Sequence, residues 1–397
     1  MRFLLASVLL GVASVGWFQS HAEASKGLDE EGDFSCRGVI VRPGDAIQEM
    51  ITTRPKGTTF CFRRGIYEIQ EPLRPKSHDR LIGERGATLT GSNSTPAAIL
   101  GYGDVQTGVV IKGFIVEHFA GSDEPGRKHA IDSGKRWRIV RNEIRYNGGG
   151  GLNIDPGTVV RRNHIHHNGR YGVNAMGADI KLLKNEISFN STLRKDSPDV
   201  DAGASKFIRT TGLVARGNYV HHNYGAGLWT DGNNIHTLYE DNRIVSNLGS
   251  GIHHEISYDA VIRNNVLRDN ASVFAGRTVW WGSQIRISSS SNLEVYGNRI
   301  KANSNVNALG IIDFDRGNGA HGPWRARNID VYRNIITLKG GSVGAVDQEA
   351  DNNVRFRRNT YFLDDINGTY FQWNNDHWTA ALWRSYGNDV HGKFIEL

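Results

Sequence analysis

The 397-residue sequence predicts an all-β solenoid of stacked coils, with a helical cap at the N-terminal end and a second cap at the C-terminal end. Three observations lead there. First, the pattern Asn-x-(Ile/Val/Leu)-x-x-Asn occurs seven times, as Asn142/Asn147, Asn163/Asn168, Asn185/Asn190, Asn218/Asn223, Asn242/Asn247, Asn265/Asn270 and Asn298/Asn303. Second, the first members recur at intervals of 21, 22, 33, 24, 23 and 33 residues. Such a period marks one structural unit stacked on the next, and the longer intervals read as units with an inserted loop. Third, ten residues after the first Asn comes Leu152, Val173, Leu228 or Ile252, each preceded by Gly. Each unit thus reads strand, Asn corner, strand, Asn-Gly corner, strand. Asn suits such corners because it tolerates left-handed backbone geometry and bonds its local backbone. Stacked Asn amides can also form hydrogen-bond ladders.

The elements follow in order. Residues 1–24 begin with Arg2 and an apolar run and end at Ala22-Glu23-Ala24, the pattern of a cleaved secretory signal peptide rather than a membrane span. Secretion or delivery to a periplasm is the expectation. Residues 25–80 should form the N-terminal cap and first coils, with Ile47, Met50 and Ile51 on one face of a short helix after Pro43-Gly44-Asp45. Residues 81–359 should be the solenoid proper, weakly patterned before Asn142 and looser again at Asn334 and Asn359. Residues 360–397 are aromatic-rich, and Trp378 to Trp383 looks like a short amphipathic helix within a closing cap. A solenoid needs both caps because an open end would expose its core. Cys36 and Cys61 are the only cysteines, and in an exported chain they are expected to form one disulfide.

The repeat unit Asn-x-Ile-x-x-Asn-x-Gly-x-Gly-Ile resembles that of the right-handed parallel β-helix, over roughly residues 40–390. That family includes pectate-lyase-like proteins, polysaccharide lyases, alginate epimerases and some glycosidases. The resemblance implies a single-stranded right-handed parallel β-helix, a carbohydrate partner and a groove on one outer face. It does not imply one reaction, since the fold carries several. Alginate epimerases bear an Asp-Pro-His cluster in their groove, and no such cluster stands here beside Trp229-Thr230-Asp231.

Counting from each Asn locates a candidate groove. Residues alternate inward and outward along a strand, so inward Leu228 and Ile252 put Trp229, Asp231, His253 and Glu255 outside. Asn153 and Asn174 correspond to Trp229 in earlier coils, Arg286 follows in the next coil, and Lys206 or Arg209 precedes. Insertions at 191–205 and 271–283 enlarge the corner before this strand, and the second contains Arg277, Trp280 and Trp281. Long loops in an economical repeat are more often functional than accidental. The expected roles are Asp231 and Glu255 as paired carboxylates or Ca²⁺ ligands, and His253, or Lys206 with a depressed pKa, as base. Lys206 or Arg286 would stabilise charge, with Trp229, Trp280 and Trp281 as sugar platforms and Arg209, Arg277, Asn153 and Asn174 as further substrate contacts. His254 should point inward. The His166-His167 and His221-His222 pairs lie two coils apart, too far to share one transition metal. Asp313-Phe314-Asp315-Arg316 is either the far end of the groove or a loop anchor.

A formal charge of +6 and a pI near 9.2 favour an anionic partner, here a polysaccharide. Neither a nucleic acid nor a membrane span is expected, and the chain should be a monomer. No phosphate loop, metalloprotease helix or Ser-His-Asp order stands out. The leading expectation is a secreted enzyme that abstracts the proton beside a uronate carboxyl, as a β-elimination lyase or C5-epimerase. The alternatives are a glycoside hydrolase using Asp231 and Glu255, and a non-catalytic glycan-binding solenoid.

Overall fold

Three short strands make each coil, because a corner follows every few residues of branched apolar sequence. Arg138–Val140, Glu143–Arg145 and Gly150–Ile154 form one coil. Each pairs in parallel with its counterpart in the next coil: Val159–Arg161, His164–His166 and Val173–Ala178. This computed structural model describes residues 35–101, 106–121, 129–198, 200–274, 282–303, 306–347, 352–374 and 376–397. Among them the strands gather into a 24-stranded sheet, a 12-stranded sheet and one two-stranded hairpin. The third strand of each coil builds the 12-stranded sheet, and this sheet carries the Asp231 face. The chain is thus a right-handed parallel β-helix, as the repeat predicts.

The apolar residues ten places after Asn142, Asn163, Asn218 and Asn242 belong to one core column. Leu152, Val173, Ser205, Leu228, Ile252, Ile285, Leu309 and Val343 stack as one column, all fully buried. Burial of each Leu, Ile or Val in it contributes about 1.5–3 kcal/mol. The glycine before the column has its own cause. A Cβ on Gly227 would lie 2.5 Å from the Gly251 carbonyl oxygen and 2.9 Å from Ile244 Cγ2. Gly227→Ala should therefore cost about 1–3 kcal/mol through overpacking, read as a lowered thermal midpoint. An unchanged midpoint would remove close approach as the reason for this glycine.

The asparagines form two continuous ladders. Asn163 shows the unit: its Nδ2 donates to Asn185 Oδ1 at 3.0 Å and to the Ile139 carbonyl at 2.8 Å, and its backbone N–H donates to the same Asn185 Oδ1. One ladder runs from Asn142 through Asn334 and Asn359 and ends on Asp389. The other runs from Asn147 to Asn270 and ends on Gln284. Two expectations are corrected here. Asn303 is exposed and donates to Asp269 instead of joining the ladder. The left-handed residue is not the Asn but the one before it: Arg141, Tyr146, Arg162, His167, Lys184 and Phe189 have φ between 50° and 56°. The Asn side chain fastens the corner, and its neighbour makes the turn.

Both ends are closed as the composition suggests. The helix Ile47–Thr53 buries Ile47 and Ile51, and Cys36 is joined to Cys61. The helix Ala380–Ser385 starts at Thr379, whose side chain accepts from the Leu382 N–H, and it buries Trp383 against Phe356 and Phe371. Lys393–Glu396 pairs in parallel with Thr360–Leu363, so coil stacking continues into this segment. The expected signal peptide lies outside the described residues. Among the described residues no helix is long and apolar enough to cross a membrane.

Candidate functional site

Strand register assembles the site. Asn153, Asn174, Lys206, Trp229, His253 and Arg286 occupy one position on successive coils of the 12-stranded sheet. Two residues further along each strand, Met176, Ile208, Asp231, Glu255 and Ser288 form a second column on the same side. Asn174 Nδ2 donates to Asn153 Oδ1 at 3.3 Å, extending the polar row. Arg209 does not belong to it. The register shifts between Met176 and Gly177, which leaves Arg209 as an exposed bulge residue with φ 52°. Arg277, Trp280 and Trp281 lie outside the described residues.

Lys206 is the centre of the arrangement. Its Nζ lies 2.8 Å from Asp201 Oδ1, 3.1 Å from Asp231 Oδ2 and 4.1 Å from the centre of the Trp229 ring. Burial works against the ammonium, but Asp201 and Asp231 together outweigh it and raise its pKa. Lys206 is therefore a fixed cation, not the acidified amine that a basic role requires. Asp231 shifts upward through burial and then through the neighbouring Glu255, partly opposed by Lys206. Glu255 accepts from Arg316 Nη1 at 2.5 Å through Oε1 and from Trp229 Nε1 at 3.1 Å through Oε2.

Two further expectations are corrected by burial. Trp229 is only 4% exposed, because Lys206 on the preceding coil and His253 on the following one cover its ring; the His253 ring stacks at 5.2 Å. It is not an open sugar platform. It holds Lys206 and Glu255 in place. His253 is 2% exposed and its Nε2 accepts from Arg286 Nε at 2.9 Å. Since arginine only donates, the imidazole carries its proton on Nδ1, and the Nε2 lone pair is already engaged. Burial, followed by the Arg286 charge, also holds its pKa well below the usual histidine range. His253 is a neutral acceptor that seats Arg286, itself buried, rather than a free base.

Ca²⁺ does not suit this pair. It takes six to eight oxygen ligands, whereas the Asp231 and Glu255 carboxylates are met by nitrogen: the Lys206 ammonium, the Arg316 guanidinium, the Trp229 indole N–H and, at 3.5 Å, His253 Nε2. His254 does point inward. It is fully buried, with Nδ1 2.7 Å from Thr230 Oγ1, and burial pushes its pKa down to about 3.

Loops complete the site. Asp201 comes from the segment before the strand Gly203–Thr211 and also accepts from the Tyr171 hydroxyl at 2.8 Å. Burial, then Asp201, raises the Tyr171 pKa, so the phenol stays protonated. Arg316 comes from the segment after Asn307–Ile312. Asp313 anchors that segment: its fully buried carboxylate takes Arg325 through both oxygens, at 3.0 and 2.6 Å, and Asn352 at 2.8 Å. Asp313 is thus a loop anchor, while Arg316 reaches the site. Arg316 is 61 residues from Glu255, with no local signal to link them. Asp132 also stands in the Asn153 column, buried, with His129 Nδ1 3.7 Å away. Neither of its oxygens has a hydrogen-bond partner among the described residues. Its coil lacks the Asn corners that would have revealed its register.

Residues 130–287 match the family model described as right handed beta helix region. No curated protein matches in a sequence search. Among solved structures, the mannuronan C-5 epimerase AlgE4 A-module of Azotobacter vinelandii is 15% identical with a TM-score of 0.56, over 89% of this chain and 93% of that one. XylC in complex with xylose is 12% identical with a TM-score of 0.60, over 80% of each chain. The catalytic unit of a GH87 alpha-1,3-glucanase from Streptomyces thermodiastaticus is 15% identical with a TM-score of 0.55, over 80% of this chain and 59% of that chain. At these identities the likeness is one of fold.

Proposed function

We propose that this right-handed parallel β-helix is an exported enzyme acting on a uronate-containing polysaccharide. The reaction would remove the proton on the carbon next to the sugar carboxylate, the step common to β-elimination and C5 epimerisation. One observation carries the reading: a fixed Lys206 ammonium lies beside Asp231, whose pKa is raised, with the Arg316 guanidinium on the adjoining Glu255. Lys206 and Arg316 would bind the uronate carboxylate and stabilise the additional negative charge that builds on it as the proton leaves. Asp231, more basic than an ordinary carboxylate, would take that proton. Tyr171, held protonated on the Asp201 oxygen that also accepts from Lys206, would be the proton donor. Trp229, His253 and Arg286 act as positioning residues beneath them. The basic charge balance and fold neighbours that include a mannuronan epimerase and a glucanase point to carbohydrate. The leader-like first residues and the Cys36–Cys61 disulfide agree with export.

The test is incubation with a panel of acidic and neutral polysaccharides. Expected is either ultraviolet absorbance from an unsaturated uronate or a change in uronate configuration by NMR. New reducing ends without either signal would replace this reading by a glycoside hydrolase. Binding without turnover would replace it by a glycan-binding solenoid.

A further inference from the structure

A second cluster lies on the other sheet. Glu143, His164 and Glu186 are register neighbours on three successive coils, with Arg145, His166, Ser188 and His221 in the adjoining column. His164 and His166 are two apart on one strand, so both face the same way, and their rings stack at 3.9 Å. One donor atom from each of Glu143, His164 and His166 lies within 4.8 Å of the others. We propose that Glu143, His164 and His166 bind one divalent first-row transition ion of the zinc class.

The donor set selects that class. Two imidazoles with one carboxylate suit zinc and its neighbours, whereas calcium and magnesium prefer oxygen alone. Arg145 Nη1 at 2.5 Å and His166 Nε2 at 3.3 Å both meet Glu143 Oε1, and Oε2 would be the oxygen offered to the ion. His166 also has the support typical of a ligand. Its Nδ1 lies 2.8 Å from His167 Nδ1. When that contact takes the His166 Nδ1 proton, the Nε2 lone pair is aimed at the cluster, as ligation requires. A second histidine pair repeats the motif two coils on, with His221 Nδ1 2.9 Å from His222 and Nε2 3.1 Å from Glu186. There Tyr219 stands in the register place of His164, so that strand brings one imidazole instead of two, although Glu186 also lies 3.7 Å from His164 Nε2. The two histidine pairs need not share an ion. The ion would instead bridge the coil of Glu143 to the coil of His164 and His166, stapling one to the next.

The experiment is calorimetric titration of the untagged protein with Zn²⁺ at neutral pH. Expected is one Zn²⁺ per chain, a raised thermal midpoint on zinc addition, and affinity reduced about 100-fold or more by His164→Ala or His166→Ala. His164 is part-exposed, so its variant should fold with an unchanged metal-free midpoint. His221→Ala should leave the zinc affinity unchanged. Absence of zinc binding to the wild type would overturn the proposal, as would unaltered binding in a folded His164→Ala, His166→Ala double variant.

Discussion

Asp231→Asn should lose turnover by about 10²–10⁴-fold, the range that a positioned proton-transfer group supplies, without losing stability at neutral pH. The sign follows from the direction of its pKa. Burial and then Glu255 raise the Asp231 carboxyl, so the folded state favours the neutral form. Stability from that preference is fully present below the unfolded carboxylate pKa of about 4 and is lost as pH rises through the folded pKa. An amide stays neutral throughout, so the variant avoids the loss that the wild type suffers at neutral pH. Thermal midpoints across pH check this: the variant should match or exceed the wild type at neutral pH and lose that advantage on acidification. A variant that unfolds early at neutral pH would make Asp231 a structural ion-pair partner of Lys206.

The second large effect is on the fold. Asn218→Ala should destabilise the protein by about 3–5 kcal/mol, because it strands several buried groups at once. Asn185 loses the acceptor for its backbone N–H and its Nδ2, the Leu182 carbonyl loses the Asn218 amide, and Asn242 Oδ1 keeps only the Asn218 backbone N–H of its two donors from that residue. Asn303→Ala, at the end of the same sequence motif but exposed, should change stability little. Denaturant midpoints of the two variants decide between a ladder and a mere preference of asparagine for corners. Equal midpoints would remove the ladder as a source of stability.

That contrast shows what the residues disclose before folding. Period and alternation made the coil, its core column and the neighbouring positions of Asp231 and Glu255 legible, because register in a parallel stack is simple addition. The same addition puts Trp229, His253 and Arg286 in one row and leaves Lys206 and Arg209 as alternatives on the preceding coil. It could not tell whether an outward side chain stays open to solvent. Trp229 and His253 point away from the core and yet are buried, since Lys206, Arg286 and each other cover them. Nor could it find Arg316, which a loop anchored far along the chain by Asp313 carries to Glu255. The insertion at 191–205 breaks the count before this strand, and the strand pairing decides for Lys206, which stands opposite Asn174, with Arg209 in the bulge. Chemistry thus depends here on what lies over the repeat, while the repeat decides only the shelf on which it sits.

Lys206, Asp231 and Arg316 are proposed to activate the proton beside a uronate carboxylate. The most direct measurement of this is NMR of polyuronates incubated with the enzyme in D₂O. The wild type should either place deuterium at C5 or yield an unsaturated uronate that has lost that proton, and both outcomes should vanish in Asp231→Asn and weaken strongly in Lys206→Met. Retention of the C5 proton in every polyuronate tried, or proton loss that persists in Asp231→Asn, would contradict it.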